Sequence, residues 1–191
     1  RHEVVQQVRQ SQIVSKTVVA TCDAEIFEYI ESISGKAVMT SDRHERASDR
    51  CAEALRIIET EGGETFDIVV MIQGDEPMTH PNMIQEAVEP LLQNVHVKVS
   101  NLMAPISTEE ELNDGNCIKV VFDLKSDAIY FSRKPIPTNS GSGFVTAMKQ
   151  VCVIPFRRDF LLEYTTLKPT PLEISESIDM LRVIEHGDKV R

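Results

Sequence analysis

Two carboxylates stand directly after an apolar run in the middle of the chain. Residues 67–72 read Asp-Ile-Val-Val-Met-Ile, the pattern of a buried strand, and residues 73–77 continue as Gln-Gly-Asp-Glu-Pro. Ligands of open α/β sheets bind at the carboxyl ends of strands, which is where Asp75 and Glu76 are expected. Carboxylates at such an edge suit a hard cation such as Mg²⁺, which proteins hold with one or two acids plus substrate phosphates. A plain acidic turn is the alternative interpretation.

The first half of the chain alternates strand-like segments with helical patterns, which favours an α/β sheet. The predicted strands are residues 17–21, 36–39 and 67–72. The predicted helices begin after Asp23, at Ser48 or Asp49, and at Pro81. Residues 1–8 also have a helical pattern, and Pro90 is expected to bend or stop the helix that begins at Pro81.

The second half predicts antiparallel strands added to this core. The strand-like segments are residues 97–103, 118–122, 128–131 and 150–154. Prolines and glycines over residues 134–146 predict a mobile loop. After Pro171, apolar residues at helical spacing predict one final amphipathic helix. Because no repeat or linker divides the chain, residues 1–191 are expected to form a single domain.

Composition limits the classes of function. The chain has 191 residues and a net charge of -10, which argues against a broad nucleic-acid surface and against binding to anionic membranes. No apolar run approaches the roughly 18 residues of a membrane span, and we expect no signal peptide. The 4 cysteines are scattered without zinc-site spacing, so we expect reduced thiols in a cytoplasmic protein.

Further motifs lie on both sides of the acidic segment. They are Val19-Ala-Thr21, Val38-Met-Thr40, His44-x-Arg-Ala-Ser-Asp-Arg50, Lys119-Val-Val-x-Asp123, Tyr130-Phe-Ser-Arg133, Arg157-Arg-Asp-Phe-Leu161 and Pro171-Leu-Glu173. Together with Gln-Gly-Asp-Glu-Pro, this set resembles the 3-deoxy-manno-octulosonate (Kdo) cytidylyltransferases, or CMP-Kdo synthetases. The resemblance implies a Rossmann-like, three-layer α/β/α nucleotidyltransferase fold with a mixed sheet and an antiparallel dimerisation half. It also implies a cytoplasmic homodimer that couples CTP to a 2-keto-3-deoxy sugar acid, uses Mg²⁺ and releases pyrophosphate.

The resemblance assigns roles to particular residues. Asp75 is the implied Mg²⁺ ligand, and Gln73 is implied to face the sugar beside it. The implied nucleotide-binding residues are Arg46, Ser48, Asp49 and Arg50. The implied sugar-binding residues are Gln73, Arg133, Gln150 and Asp179. Structural alternatives remain open: Asp49 and Arg50 as a helix cap and an ion pair, Glu76 as a local hydrogen-bonding group, and Arg133 as a brace of the sheet edge.

The chain also departs from the family pattern. The family's basic loop, Ala-Arg-x-x-Ser-x-Arg-x-Pro-Gly-Lys, and its Asp-Thr-Pro-Glu-Asp segment do not occur, so we expect that the chain lacks both ends. On the sugar side, a histidine, a tyrosine and a glutamine of the family are Gln150, Ile154 and Met180. These changes indicate a relative of Kdo as substrate or a Kdo site that has been repacked.

Two other interpretations of function remain. The missing phosphate loop fits a non-catalytic paralogue that binds nucleotide or dimerises with an active partner. A nucleotidyltransferase that uses another base or an ordinary sugar phosphate would have the same scaffold, because one fold hosts many chemistries.

Overall fold

Helices and strands alternate along the first half of the chain, as the sequence predicts. A computed structural model describes residues 2–141, 143 and 145–191. The elements of the first half are α1 (His2–Arg9), β1 (Val19–Thr21), α2 (Ala24–Ser32), β2 (Ala37–Met39), α3 (Ala47–Gly62), β3 (Ile68–Ile72) and α4 (Pro81–Gln93). The elements of the second half are β4 (Met103–Pro105), α5 (Glu109–Asn113), β5 (Lys119–Phe122), β6 (Ala128–Ser132), β7 (Met148–Gln150), β8 (Val153–Arg157), α6 (Arg158–Tyr164), α7 (Pro171–Glu176) and α8 (Asp179–Glu185).

Short-range chemistry sets the helix ends in the first half. The Asp23 carboxylate caps α2, accepting hydrogen bonds from the backbone N–H groups of Glu25 at 2.9 Å and Ile26 at 3.2 Å. Gly63 ends α3 in the left-handed region, with φ at 65°, where a side chain would be strained. The predicted start of α3 at Ser48 or Asp49 is slightly late, since Arg46 precedes its first residue.

Side chains of β3 alternate between two apolar clusters, which makes the fold three-layered. Ile68, Val70 and Ile72 pack with residues of α1 and α4, whereas Val69 and Met71 pack with residues of α3, α6 and α8. The strand pairs are mixed, because β1 and β2 run parallel and β3 and β8 run antiparallel. The predicted three-layer α/β/α architecture is confirmed, while the parallel pair and the antiparallel pairs lie in separate sheets of the structure.

The second half forms the predicted antiparallel sheet, in the order β4-β7-β5-β6. Residues 99–102 connect this sheet to β8: Val99 bridges Phe156, and the Ser100 N–H donates to the Pro155 carbonyl at 3.0 Å. Of the predicted strand 97–103, only Met103 is therefore in a regular strand. The described residues of loop 134–146 form neither helix nor strand, and Ser142 and Phe144 lie outside the described residues.

Other predicted boundaries also differ from those in the structure. Helix α4 does not stop at Pro90 but continues to Gln93, because a proline near the helix end removes a single hydrogen bond there. The predicted strand 150–154 is divided between β7 and β8. The backbone N–H of Cys152, between them, donates to the Glu76 carboxylate rather than to a strand partner.

The single helix predicted after Pro171 is two helices, α7 and α8. They are separated at Ser177, whose φ is 56°. None of the described helices is long and apolar enough to cross a membrane.

Candidate functional site

The acidic segment forms a hydrogen-bonded turn immediately after β3. The N–H of Glu76 donates to the Gln73 carbonyl at 3.2 Å, and the N–H of Thr79 donates to the Glu76 carbonyl at 3.1 Å. Asp75 lies at the tip and is exposed, and its carboxylate makes no hydrogen bond or ion pair with any residue that the structure describes. Asp75 is therefore free to bind a cation.

Glu76 joins this turn to the segment between β7 and β8. Its Oε1 accepts a hydrogen bond from the Cys152 N–H at 3.2 Å, which is the local hydrogen-bonding role considered for it. Burial raises the pKa of the Cys152 thiol to about 12, and the carboxylates of Glu76, Asp75 and Asp179 add to that increase. The thiol therefore stays protonated and lies within electrostatic range of both the acidic turn and Asp179. Sequence reasoning missed Cys152, because an isolated cysteine has no motif signal.

Charged and polar side chains from α3, α7 and α8 form what we call the charge network. Its members are Arg46, Ser48, Glu173, Asp179 and Arg182. Ser48 is fully buried and donates from Oγ to Asp179 Oδ2 at 2.8 Å. Arg46 Nε lies 3.6 Å from Asp179 Oδ1 and 3.7 Å from Glu173 Oε1. Three predicted site residues from distant parts of the sequence thus meet at the start of α3.

The centre of the charge network is a buried, bidentate ion pair. Arg182 donates from Nε and Nη2 to the two oxygens of Glu173, at 2.7 and 2.5 Å. The guanidinium carbon also lies 4.6 Å from the centre of the Tyr164 ring. Glu173 falls in a quoted motif, but its pairing with Arg182 was not predicted, because it depends on the break between α7 and α8. A weak signal existed in Thr170-Pro-Leu-Glu173, a capping-box pattern.

Asp179 is the unusual carboxylate of the charge network. Burial raises the pKa of its carboxyl above the ordinary 3.8, while the Ser48 hydrogen bond and the Arg46 charge oppose that increase. It was predicted to bind sugar, and here its oxygens are already used by protein groups. Its charge helps to raise the pKa of the Cys152 thiol, as the carboxylates of the acidic turn also do.

Arg133 holds the break between α7 and α8 in place. Its Nε donates to the Glu176 carbonyl at 2.5 Å and its Nη2 to the Ser177 carbonyl at 3.2 Å, while its backbone N–H donates to the Glu176 carboxylate at 2.8 Å. Its Nη1 donates to the Gly115 carbonyl at 2.9 Å. This arrangement matches the bracing alternative more closely than direct contact with sugar.

Arg50 and Asp49 are the two remaining residues that were predicted to bind nucleotide. Arg50 donates to Thr40 Oγ1 at 2.6 Å and to the Ser41 carbonyl at 3.2 Å, so its guanidinium is engaged within the protein. Asp49 lies in the first turn of α3 and does not cap it, since Arg46 occupies the cap position. The proposed cap by Asp49 is therefore wrong.

The structure brings together only some of the residues that were predicted to bind sugar. Gln150 Nε2 donates to Asn101 Oδ1 at 2.5 Å, so its amide is engaged within the protein. Gln73 belongs to the acidic turn itself. Ile154 and Met180 are 2% and 0% exposed and belong to the main apolar cluster, which favours a repacked site over new sugar contacts.

A divalent cation would have to share its ligands between protein and substrate here. Within residues 2–141, 143 and 145–191, no three His, Cys, Asp or Glu side chains are placed to hold a metal ion by themselves. The free carboxylate of Asp75 fits the alternative arrangement, in which one acid acts together with phosphate oxygens and water.

Comparison with known proteins supplies independent evidence. The family model described as cytidylyltransferase matches residues 2–190. The 3-deoxy-manno-octulosonate cytidylyltransferase of Geobacter metallireducens is 36% identical to this chain, over 98% of the chain and 76% of the relative. The enzyme of the same name from Trichlorobacter lovleyi is 37% identical, over 98% of the chain and 77% of the relative. The chain thus spans about three quarters of the length of these relatives.

Solved structures agree with the sequence relatives. The structure of CMP:2-keto-3-deoxy-manno-octonic acid synthetase complexed with CTP matches 100% of this chain and 76% of its own, with a TM-score of 0.89 and 31% identity. A 4-diphosphocytidyl-2C-methyl-D-erythritol synthase from Anaerococcus prevotii has a TM-score of 0.59 at 12% identity, over 99% of this chain and 74% of its own, and shows likeness of fold alone. The chain belongs to the cytidylyltransferase family, among the 3-deoxy-manno-octulosonate cytidylyltransferases.

Proposed function

We propose that this protein transfers the cytidylyl group of CTP to Kdo or a closely related 2-keto-3-deoxy sugar acid and releases pyrophosphate. The observation that carries the proposal is the likeness over the whole chain to a synthetase solved in complex with CTP. The acidic turn after β3 and the charge network at the start of α3 give that likeness a chemical basis.

The reaction is a displacement at phosphorus. The anomeric hydroxyl oxygen of the sugar acid forms a bond to the α-phosphorus of CTP, and the bond from that phosphorus to the bridging oxygen of pyrophosphate breaks. The hydroxyl proton is lost to solvent or base. Because the reaction needs little covalent chemistry from the protein, the main tasks of the protein are positioning and management of phosphate charge.

Asp75 is the residue we assign to Mg²⁺, together with phosphate oxygens of the substrate. When bound, this ion withdraws negative charge from the phosphate oxygens. Gln73, in the same turn, has an amide that offers both a donor and an acceptor to the sugar. Arg46 and Ser48, held by the charge network, form the part of the site that we assign to the nucleotide. Asp49 lies beside them in the first turn of α3.

The other predicted residues take supporting roles in this proposal. Arg50 holds residues 40 and 41. Arg133 holds the break between α7 and α8, and Asp179 joins α8 to α3. Gln150 is fixed by Asn101 at the edge of the sugar side.

The direct test measures pyrophosphate release from CTP, Mg²⁺ and Kdo, with ATP, GTP and UTP as matched controls. The proposal predicts release that requires Kdo and Mg²⁺ and is selective for CTP. Equal release with another nucleotide would favour a different nucleotidyltransferase. Protein that is folded and binds CTP but releases no pyrophosphate with Kdo or related ulosonic acids would favour the non-catalytic alternative.

We also propose that the protein is a cytoplasmic homodimer formed through the antiparallel sheet. The hairpin of β5 and β6 supports this arrangement, because Phe122, Leu124 and Ile129 are exposed apolar side chains on it. The described cysteines carry free thiols, which suits a reducing compartment. Light scattering of the purified protein tests the dimer, and a monomeric mass at micromolar concentration would contradict it.

A further inference from the structure

Glu53 on α3 holds the segment that connects β2 to α3, residues 40–46. Its Oε2 accepts a hydrogen bond from the Ser41 N–H at 2.9 Å, and the same oxygen is hydrogen bonded to Nε2 of His44. Arg50 lies one turn earlier on α3 and donates to the carbonyl of Ser41. The two side chains therefore bind both polar groups of one backbone residue, the N–H and the C=O of Ser41.

The position of this segment gives the contact a functional meaning. Because β1 and β2 run parallel, the segments that follow them leave from the same edge of the sheet, where ligands bind. Asp42, Arg43 and Glu45 are exposed, so Glu53 and Arg50 supply the side-chain anchors that tie the segment to the helix. Arg46, at the end of the segment, enters the charge network.

The bond to Glu53 also fixes the histidine ring. Nε2 of His44 must carry the proton that it shares with the carboxylate, so the tautomer and the orientation of the ring are set together. Nδ1 then points away from Glu53. Within the part of the chain that the structure describes, Nδ1 makes no hydrogen bond, so it is the nitrogen left for a ligand.

Glu53 is well suited to this task. The hydrogen bond from the Ser41 N–H, opposed by burial and aided by His44 and Arg50, holds the pKa of the Glu53 carboxyl below its ordinary 4.5. The group is therefore an ionised acceptor at neutral pH, and a charged acceptor makes the stronger hydrogen bond.

We propose that Glu53 is a positioning residue for nucleotide binding, which holds segment 40–46 and turns Nδ1 of His44 toward the bound CTP. The inference rests on the proposed function and deepens it. It assigns Glu53 to the CTP side of the site, so that its loss affects CTP more than the sugar acid.

The test compares Glu53→Ala with Glu59→Ala. Glu59 is a matched control on the same helix, because it also accepts from one cationic side chain, Arg158, and one backbone N–H, that of Phe66. Glu53→Ala should raise the KM for CTP about tenfold, the loss of one charge-assisted hydrogen bond, with kcat and the KM for the sugar acid changed by less than about threefold. Glu59→Ala should leave both KM values unchanged even where it lowers the melting temperature.

Two further variants separate positioning from general damage. Glu53→Gln keeps an acceptor for the Ser41 N–H and should recover part of the CTP affinity, and it replaces Glu53→Ala if that variant does not fold. His44→Ala should raise the KM for CTP, and adding Glu53→Ala to it should have a smaller effect than in the wild type.

The outcomes distinguish the inference from the function on which it rests. An unchanged KM for CTP in Glu53→Ala, or equal changes in the Glu53 and Glu59 variants, would overturn the positioning role and leave the transferase intact. If the wild type releases no pyrophosphate, the CTP affinities of the wild type and the same variants are compared by calorimetry instead. A wild type that does not bind CTP overturns both the function and the inference.

Discussion

The acidic turn after β3 contains an unpaired carboxylate, whereas the carboxylates of the charge network at the start of α3 are paired. Asp75 is exposed and makes no ion pair with any residue described by the structure. In the charge network, Glu173 is bound by both prongs of Arg182, and Asp179 is bound by Ser48 and approached by Arg46. The first region leaves a carboxylate available, and the second leaves almost none.

This difference separates binding from positioning. A carboxylate that is already paired gains little from a metal ion or a substrate, because its partner must first be displaced. An unpaired carboxylate on the surface costs the fold little and retains its full charge for a ligand. We therefore assign ion binding to Asp75, and we assign to the charge network the task of fixing α3, α7 and α8 relative to the acidic turn.

The largest expected effect comes from Asp75→Asn. The amide keeps the size of the side chain and removes the charge that the proposed Mg²⁺ site needs, so turnover should fall by roughly a thousandfold or more. The melting temperature should stay the same, because Asp75 has no partner to lose. Pyrophosphate release and thermal unfolding measure the two quantities.

Asp67→Asn is the matched control for that variant. Asp67 is an exposed aspartate immediately before the opposite end of β3. Its substitution should leave turnover within about twofold, since exposed surface changes are usually close to neutral. Near-normal turnover in Asp75→Asn would remove the contrast between the two regions.

Arg182→Met should have the next largest effect, and on stability. It leaves the Glu173 carboxylate, whose side chain is 1% exposed, without its main partner. Breaking a buried ion pair in this way costs about 3–5 kcal/mol in the free energy of unfolding. Urea denaturation of both proteins gives the difference.

The double variant Arg182→Met, Glu173→Leu sharpens this result. Replacing both charges by apolar groups is often close to neutral, so much of the lost stability should return. If the single variant is as stable as the wild type, the charge network does not fix the helices as we infer.

The smallest effect concerns Asp179 and pH. Because burial holds the pKa of its folded carboxyl above 3.8, the folded protein binds this proton more tightly than the unfolded chain does. Its contribution to the free energy of unfolding is therefore greatest at low pH and falls as pH rises through the folded pKa, by at most about 1.4 kcal/mol per pH unit.

Asp179→Asn keeps an acceptor for Ser48 and lacks this titration. The stability difference, wild type minus variant, should decrease from about pH 4 to pH 7 in denaturation experiments. A difference that increases with pH would mean that the charged form of Asp179 is stabilised by Ser48 and Arg46 more than it is penalised by burial.

The sequence predicts those parts of the fold that depend on local pattern. The strand before Asp75, the cap at Asp23 and the helix after Pro81 follow from apolar period and capping chemistry, and the structure has all of them. The division of segment 150–154 was not predictable, because it depends on a hydrogen bond between Cys152 and Glu76, which are distant in sequence.

The candidate site shows the same limit. Family motifs identify Arg46, Ser48 and Asp179, but they do not say whether a side chain meets a ligand or another side chain. Arg50 and Arg133 are basic residues in motifs that carry the resemblance to the family, yet their guanidinium groups donate to protein carbonyls. Only the tertiary arrangement makes that distinction.

The break at Ser177 makes the connection between α7 and α8 intolerant of a change in length. In a continuous helix, nine residues would separate Glu173 and Arg182 by about 13 Å along the axis, far beyond an ion pair. The turn at Ser177 reverses the chain and brings the two side chains into contact. Inserting or deleting one residue beside Ser177 would change the length of this short connection, so that Arg182 could not stay paired with Glu173 while α8 keeps its present packing. We therefore expect this junction to accept changes of residue type but not of residue number.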